Sequence, residues 1–376
     1  MDFAFTSDQQ ALRESVRDFL QAECTSSRIR TFFESEDGTD PSLWEKVVGL
    51  GWPGLTLPEK FGGIGLGWVE ASLLGEEMGR FLFPSPYMST LLVATAIQLG
   101  GTEEQRERFL PGFAEGTLTG ALALFEGRSM HPEDIRIKAR PSEGNVVLDG
   151  KKLFVADGHV ADLLLVAVQG DAGPGFVIVE SSASGVKIEP LPVVDMTRRQ
   201  SAISFSEVEV PKSLQLPGQD SLFDRIRDRM LLFLAAENSG IARRVFEMSV
   251  EYAKTRQQFG KPIGIFQGVS HKLADMYMSV EHATSLVYYA AWVADQADQA
   301  DLASQSQHEA GVAAWRASLW CAGAARRATA DGIQIHGGIG FTWEHDLHMY
   351  FKRARANQFV CSEPSIVTDL LAQTLG

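Results

Sequence analysis

Between residues 254 and 267 the sequence reads KTRQQFGKPIGIFQ, a stretch that joins two amphipathic segments, 245–253 and 269–291. We therefore expect a loop between two long helices. An ordinary helix stop would explain the glycines and the proline. Alternatively, the loop carries Arg256 and Gln267 to a phosphate group or a planar ring, because arginine presents a rigid fork of donors that suits phosphate oxygens. The rest of the chain decides between these two interpretations.

The composition is that of an ordinary globular protein. The chain has 376 residues, 45% of them apolar, and a formal net charge of −14. This length predicts two or three domains. The acidic balance argues against nonspecific nucleic-acid binding and against an anionic membrane surface. We find no secretory signal at the N-terminus and no run long enough for a membrane span, so we expect a cytoplasmic protein.

The cysteines and histidines give little sign of a metal centre. Cys24, Cys321 and Cys361 are far apart and form no CxxC motif, which predicts a reducing compartment and no disulfide framework. His345 and His348, with Asp346 between them, could ligate a metal. They could also form a polar face that lines solvent or substrate, and we predict no metal site.

The pattern of apolar residues divides the chain into three parts. Residues up to about 115 have helical periodicity, interrupted by a glycine-rich loop at 58–67. Short apolar runs of strand length follow from about 120 to 217, separated by turn residues. From 221 the chain is helical again. This order predicts a segregated α+β fold and makes an alternating nucleotide-binding fold improbable. The predicted domains are an N-terminal helical domain (1–118), a middle β-barrel or sandwich (119–218) and a C-terminal helical domain (219–376).

Three pairs of segments, in this order around a central β-domain, together resemble the acyl-CoA dehydrogenase family. They read PEKFGGIG (58–65) with EEMGR (76–80), GTEEQ (101–105) with FLP (109–111), and RQQFG (256–260) with QIHGGIG (334–340). The resemblance extends over essentially the whole chain. It implies the same three domains, the C-terminal one (219–376) being a four-helix bundle, with FAD between the β-domain and this bundle and reaching a neighbouring subunit.

The resemblance also implies a reaction. In this family a carboxylate removes the α-proton of an acyl-CoA thioester while the β-hydride passes to the flavin, which gives a 2-enoyl-CoA. The electrons then pass to an electron-transfer flavoprotein. The developing enolate needs hydrogen-bond donors on the thioester oxygen, and the base needs a desolvated cleft that raises its pKa.

Residue by residue, the resemblance supports one half of the cofactor site. It assigns contacts with the adenosine-diphosphate side of FAD to Arg256, Phe259, Gln267, Gln334, Gly337 and Gly338. On the isoalloxazine side the family's hydroxyl-bearing residue is replaced by Ala156, although Phe154 and Val155 could still pack on a ring.

The catalytic base does not carry over directly. The glutamate that this family has near its C-terminus falls on Cys361, and the alternative position on the first bundle helix falls on Met230. The nearby acids are Glu363 and Glu237, and these are the two catalytic candidates. Glu237 lies two turns after Met230 in an apolar run, so it is either a functional group or a satisfied polar group between helices.

Two hypotheses follow from retained diphosphate-side contacts and altered ring-side contacts. This combination, and the sequence HGGIGFTWEHD at 336–346, resembles subunits of bacterial heteromeric acyl-CoA dehydrogenases that often act on steroid side chains or other bulky acids. In the first hypothesis the chain is itself active, through Glu237 or Glu363. In the second it is a non-catalytic partner subunit that supplies the diphosphate-side contacts. The expected assembly is a homotetramer or an α2β2 heterotetramer with a paralogous subunit.

Overall fold

The computed structural model describes residues 5–35, 38–127, 131–170, 173–217, 221–299 and 304–361. Contacts divide the chain into two compact units. One combines the residues up to Ser35 with Trp68–Phe83 and the chain from Leu231; the other combines the segment between Ser35 and Trp68 with Pro84–Met230.

Helices dominate both ends of the chain. Within the described ranges the α-helices are α1 (Ser7–Glu23), α2 (Ser26–Glu34), α3 (Pro41–Gly49), α4 (Trp68–Arg80), α5 (Tyr87–Gly100), α6 (Glu103–Ala114), α7 (Leu222–Thr255), α8 (Gln267–Gln299), α9 (Ser304–His336) and α10 (Leu347–Cys361).

Strands occupy the middle, with one small exception in the C-terminal part. They are β1 (Gly120–Ala123), β2 (Arg140–Ser142), β3 (Asn145–Ala156), β4 (Leu163–Gly170), β5 (Gly173–Glu180), β6 (Val186–Pro190), β7 (Gln200–Pro211), β8 (Gln257–Gln258) and β9 (Lys261–Pro262). The predicted order of helices, strands and helices is confirmed, and the fold class is α+β. The exact domain boundaries stay a prediction.

Local sequence signals explain most helix starts. Thr6 and Gln9 form a capping box at the start of α1, and the Asp40 side chain caps α3 directly before Pro41. Helix α2 was not predicted. Its nine residues give only a short apolar pattern, in which Ile29, Phe32 and Phe33 are buried.

The middle strands form two sheets. One has the order β1-β4-β5, with β1 parallel to β4; the other has the order β2-β3-β7-β6 and is antiparallel. The apolar runs 146–148 and 152–155, with Gly150 between them, predict two separate strands, but β3 runs unbroken through both. Pairing with β7 continues instead through register shifts, and Gly150 takes up a φ of +139° that a larger residue would resist.

Helices α4 and α7 approach each other at two glycines. A Cβ on Gly79 would lie 2.0 Å from the carbonyl oxygen of Glu237, and one on Gly240 would lie 1.8 Å from that of Glu76. Only glycine allows the two backbones to come this close.

The C-terminal helices differ from the prediction at one boundary. Helix α9 continues to His336, so Gln334 lies in its last turn and not in a loop. The reason is that Ile333–His336 keeps helical hydrogen bonding until Gly337 ends it. A last helix predicted at 365–375 lies outside the described residues. Within the described ranges, no helix combines the length and the apolar character that crossing a bilayer requires.

Candidate functional site

The predicted loop after α7 is a tight hairpin. Strands β8 and β9 pair through Gln257 with Pro262 and Gln258 with Lys261, and the backbone N–H of Ile263 donates to the carbonyl oxygen of Arg256 at 2.9 Å. Phe259 and Gly260 form the two-residue turn, with φ values of +52° and +75°. Positive φ is uncommon for a bulky residue, so the turn presents Phe259 under backbone strain.

The hairpin side chains face outward. Phe259 is 90% exposed, and Arg256 and Gln267 are also exposed. Gln267 begins α8, directly after the hairpin. We call residues 256–267 the hairpin loop. Its exposed guanidinium and amide are available to a ligand, which favours a binding role over a simple helix stop.

The second predicted element follows α9. Gly337 has a φ of +62° and starts a 3₁₀ turn, Gly337–Phe341, which we call the glycine turn. No atom lies within 4 Å of a Cβ built on Gly337 or Gly338. Gln334 is exposed one helical turn earlier. The glycines therefore leave open space beside the backbone, where a ligand could approach closely.

One aromatic contact brings the two elements together. Tyr252, whose carbonyl oxygen accepts from the backbone N–H of Arg256 at 2.8 Å, stacks on His336 with ring centroids 4.3 Å apart. His336 is the residue directly before Gly337. The hairpin loop and the glycine turn are thus neighbours, although they are about 75 residues apart in sequence.

Glu237 is held in a buried ion pair. Arg353 donates to one of its carboxylate oxygens at 2.7 Å, and the Asn357 amide donates to the other at 2.8 Å. The side chains of Glu237 and Arg353 are 1% and 0% exposed. Because both oxygens already accept hydrogen bonds away from solvent, the arrangement links α7 to α10 and leaves no open face for a substrate.

The structure says less about the other positions considered for the catalytic base. Glu363 lies outside the described residues, and so does the side chain of Cys361. Met230 is buried in α7. Among the described residues, neither position where the family places its glutamate therefore offers a carboxylate.

A second buried pair lies beside β3 and was not anticipated from the sequence. The Lys152 ammonium donates to Glu126 at 2.7 Å and to the carbonyl oxygen of Leu124 at 3.2 Å. Burial lowers the pKa of Lys152, while Glu126 acts to raise it. The sequence signal is a lysine that directly precedes the apolar residues 153–155 of the strand. Two residues later, Phe154 is 42% exposed with a φ of +54°, at a register shift of β3.

Two adjacent acids in α4 are also buried among cations. Glu77 pairs with Arg17 at 2.5 Å and with Arg13 at 3.3 Å, and Glu76 pairs with Arg13 at 3.4 Å and accepts from the hydroxyl of Tyr288. Burial raises the pKa of Tyr288, with Glu76 contributing. These contacts join α1 and α8 to α4, so the acids of the EEMGR segment have a structural role.

Family comparisons agree with this geometry. The model for the acyl-CoA dehydrogenase N-terminal domain matches residues 6–117, and the model for the C-terminal domain matches residues 228–361. Over 360 residues the chain is 30% identical to the acyl-CoA dehydrogenase IpdE2 of Mycolicibacterium smegmatis, an alignment that covers 96% of each protein. This chain belongs to the acyl-CoA dehydrogenase family. As a member, it is a flavin-dependent oxidoreductase subunit.

Two solved structures share the fold of this chain. The chain is similar to one in the ChsE4–ChsE5 complex from Mycobacterium tuberculosis, with a TM-score of 0.90, 27% identity and coverage of 100% and 99% of the two chains. It is also similar to the Tcur3481–Tcur3483 steroid ACAD, with a TM-score of 0.88, 29% identity and coverage of 98% and 97%.

FAD is the cofactor of acyl-CoA dehydrogenases, and the residues present fit one half of it. The open space beside Gly337 and Gly338 and the exposed Arg256 suit a diphosphate and its ribose. On the ring side, Phe154 offers an exposed aromatic face, but Ala156 has no hydroxyl to donate.

The histidines considered as metal ligands have aromatic partners. The rings of His345 and His336 are 4.7 Å apart, and His348 stacks on Trp343 at 4.6 Å. No group of three or more His, Cys, Asp and Glu residues that could hold a metal ion occurs in the part of the chain that the structure describes.

Proposed function

We propose that this chain is the non-catalytic half of a heteromeric, FAD-dependent acyl-CoA dehydrogenase. It supplies contacts to the adenosine-diphosphate side of FAD, and a paralogous subunit supplies the base. The observation that carries the proposal is the Glu237–Arg353 pair, since a carboxylate with both oxygens engaged in a buried network is a poor proton acceptor.

The reaction of the assembled enzyme is the α,β-dehydrogenation of an acyl-CoA to a 2-enoyl-CoA. FAD, when bound, accepts the hydride, and an electron-transfer flavoprotein takes the electrons onward. On this chain, Arg256 and Gln267 hold the diphosphate and Phe259 covers the adenosine end. Gln334 and the backbone at Gly337 and Gly338 approach the same half from the other side. The chain's contribution is therefore orientation of the cofactor, not proton transfer.

The relatives support both the assembly and the substrate class. The ChsE4–ChsE5 complex and the Tcur3481–Tcur3483 steroid ACAD are among the structures with this fold. We propose the same assembly here, an α2β2 heterotetramer, acting on the CoA thioester of a steroid side chain or another bulky acid. The competing hypothesis is an independently active chain in which Glu363 is the base.

Co-purification separates the two hypotheses. We expect the chain expressed alone to be colourless and inactive, and the chain co-expressed with its adjacent-gene paralogue to contain one FAD per pair. In that pair, Glu363→Gln should leave kcat within about twofold of wild type, because the base lies on the other subunit. Glu59→Gln, an exposed acid, is the control. A loss of about 10²-fold or more in Glu363→Gln alone would assign the base to this chain.

Cofactor affinity tests the glycine turn. We expect Gly338→Ala to weaken FAD binding by roughly tenfold or more, because a methyl group would occupy space that the cofactor needs, while the free energy of unfolding of the apo chain stays unchanged. Fluorescence titration of the co-expressed pair with FAD and urea denaturation of the apo chain measure the two quantities. Gly323→Ala in α9, where a Cβ also meets no atom within 4 Å, is the matched control. Unchanged FAD affinity in Gly338→Ala would remove this turn from the site.

A further inference from the structure

The hairpin loop and the glycine turn leave from the ends of two different helices. The hairpin loop follows α7, and the glycine turn follows α9. Both must keep a fixed separation if they are to hold one cofactor between them, yet each has little regular structure of its own. Residues that connect the two loops therefore bear directly on cofactor binding.

Three aromatic side chains connect the loops in a row, and we call them the aromatic ladder: Tyr252, His336 and His345. Tyr252 and His336 are almost parallel, with an interplanar angle of 22° and centroids 4.3 Å apart. His336 then meets His345 edge to face at 4.7 Å and 61°. Both are favourable arrangements of aromatic rings. The ladder runs from the stem of the hairpin loop, past the start of the glycine turn, to the turn at residues 342–346.

His336 is fixed at the centre of the ladder. Its Nδ1 lies 2.8 Å from the carbonyl oxygen of Gly332. Because a carbonyl oxygen only accepts hydrogen bonds, Nδ1 carries the ring proton and donates it to this oxygen. The residue is buried, and burial lowers the pKa of its ring, which favours the neutral form. A neutral ring with a defined tautomer can stack on both neighbours.

Helix α2 braces the far end of the ladder. Asp346 accepts from the Ser26 hydroxyl at 2.7 Å and from Arg30 at 2.5 Å, and Arg30 also donates to the carbonyl oxygen of Trp343. Phe33 packs edge to face on Trp343 at 5.4 Å. The turn that carries His345 is therefore anchored to the N-terminal part of the chain by two charged groups and one aromatic contact.

We propose that the aromatic ladder, braced by Arg30, sets the position of the hairpin loop relative to the glycine turn. Tyr252, His336 and His345 are positioning residues for the diphosphate half of the cofactor site, and this inference rests on the proposed function. Preorganised loops bind more tightly because less conformational freedom is lost on binding. Removing the central stack should let the loops move independently.

The test replaces the first ring of the ladder. We expect Tyr252→Leu to weaken FAD binding to the full chain, with its partner subunit present, by roughly tenfold, and Tyr252→Phe to restore wild-type affinity because the stack is kept. Tyr289→Leu, which removes an exposed tyrosine from α8, is the control. Hydrogen exchange of the apo chain is the second readout. Tyr252→Leu should speed exchange in peptides covering 337–346, about 85 residues away, and leave α9 before residue 330 unchanged.

A parallel pair of variants tests the brace. Arg30→Met should also speed exchange in 337–346 and weaken FAD binding. Arg28→Met on the same helix should do neither, because Arg28 pairs with Glu23. If exchange in the glycine turn does not respond to Tyr252→Leu or Arg30→Met, the ladder does not couple the loops and the inference is wrong.

The outcomes also separate this inference from the proposed function. Faster exchange in 337–346 with FAD affinity unchanged in both Tyr252→Leu and Gly338→Ala would keep the coupling, but it would contradict cofactor binding by these loops. FAD affinity that falls in Gly338→Ala and not in Tyr252→Leu would keep the proposed function and overturn the ladder as a positioning device.

Discussion

Glu237→Gln is expected to lower the free energy of unfolding by about 3–5 kcal/mol, because it removes the buried carboxylate that pairs with the Arg353 guanidinium. Urea denaturation of the full chain measures the change. Glu247→Gln on the same helix is the control. Its partner is Arg80, and the Glu247 side chain is 38% exposed, so we expect a loss of no more than about 1 kcal/mol.

A double variant adds a stricter test of Glu237. Replacing both partners, as Glu237→Met with Arg353→Met, should recover much of the stability lost in Glu237→Gln, because no unpaired charge remains buried. If Glu237→Gln instead abolishes turnover in the assembled enzyme while the urea midpoint stays at the wild-type value, Glu237 is the base and the chain is catalytic.

Alanine at either glycine of the α4–α7 contact is expected to destabilise the chain strongly. The new methyl group of Gly79→Ala or Gly240→Ala would lie within 2.0 Å of a backbone carbonyl oxygen, and a backbone cannot move aside as a flexible side chain can. We expect a loss of about 3 kcal/mol or more, at the upper end of overpacking effects, or insoluble protein.

Gly323→Ala is the control for this prediction. It places alanine in a helix interior where no atom lies within 4 Å of the new Cβ, so we expect a gain of about 0.5–1 kcal/mol from helix propensity. Thermal and urea unfolding compare the three variants. Equal stability of Gly79→Ala and wild type would mean that the two helices are not in backbone contact.

Sequence periodicity was a sufficient guide to the long elements and failed for the short ones. The helices after residue 221 have many turns of consistent pattern, and the strands of the middle part alternate with clear turn residues. Helix α2 is only two and a half turns long, so its three buried residues do not make a pattern. Gly150 suggested a turn because a glycine that bends a strand and one that ends it look alike in sequence.

In the candidate site, too, features made of contiguous residues could be predicted from the sequence, and pairs of residues far apart in the sequence could not. The hairpin loop could be recognised because its glycines, proline and arginine are contiguous. The state of Glu237 could not, since its partners Arg353 and Asn357 are more than 110 residues away in sequence and no local pattern pairs them. Likewise, Lys152 pairs with Glu126 because of the way the strands pack, which the sequence alone does not show. A buried charge becomes interpretable only when its counter-charge is located.

The backbone contact of α4 with α7 has a consequence for synthesis of the chain on the ribosome. Helix α4 buries Glu76 and Gly79 against residues that are made much later, up to Tyr288 of α8. At a typical elongation rate, about 10 to 40 s separate the emergence of α4 from that of Tyr288. During this interval the face of α4 that packs on α7 and α8 is uncovered. Chaperone binding to the nascent N-terminal segment should therefore be strong, and should end when α8 has emerged.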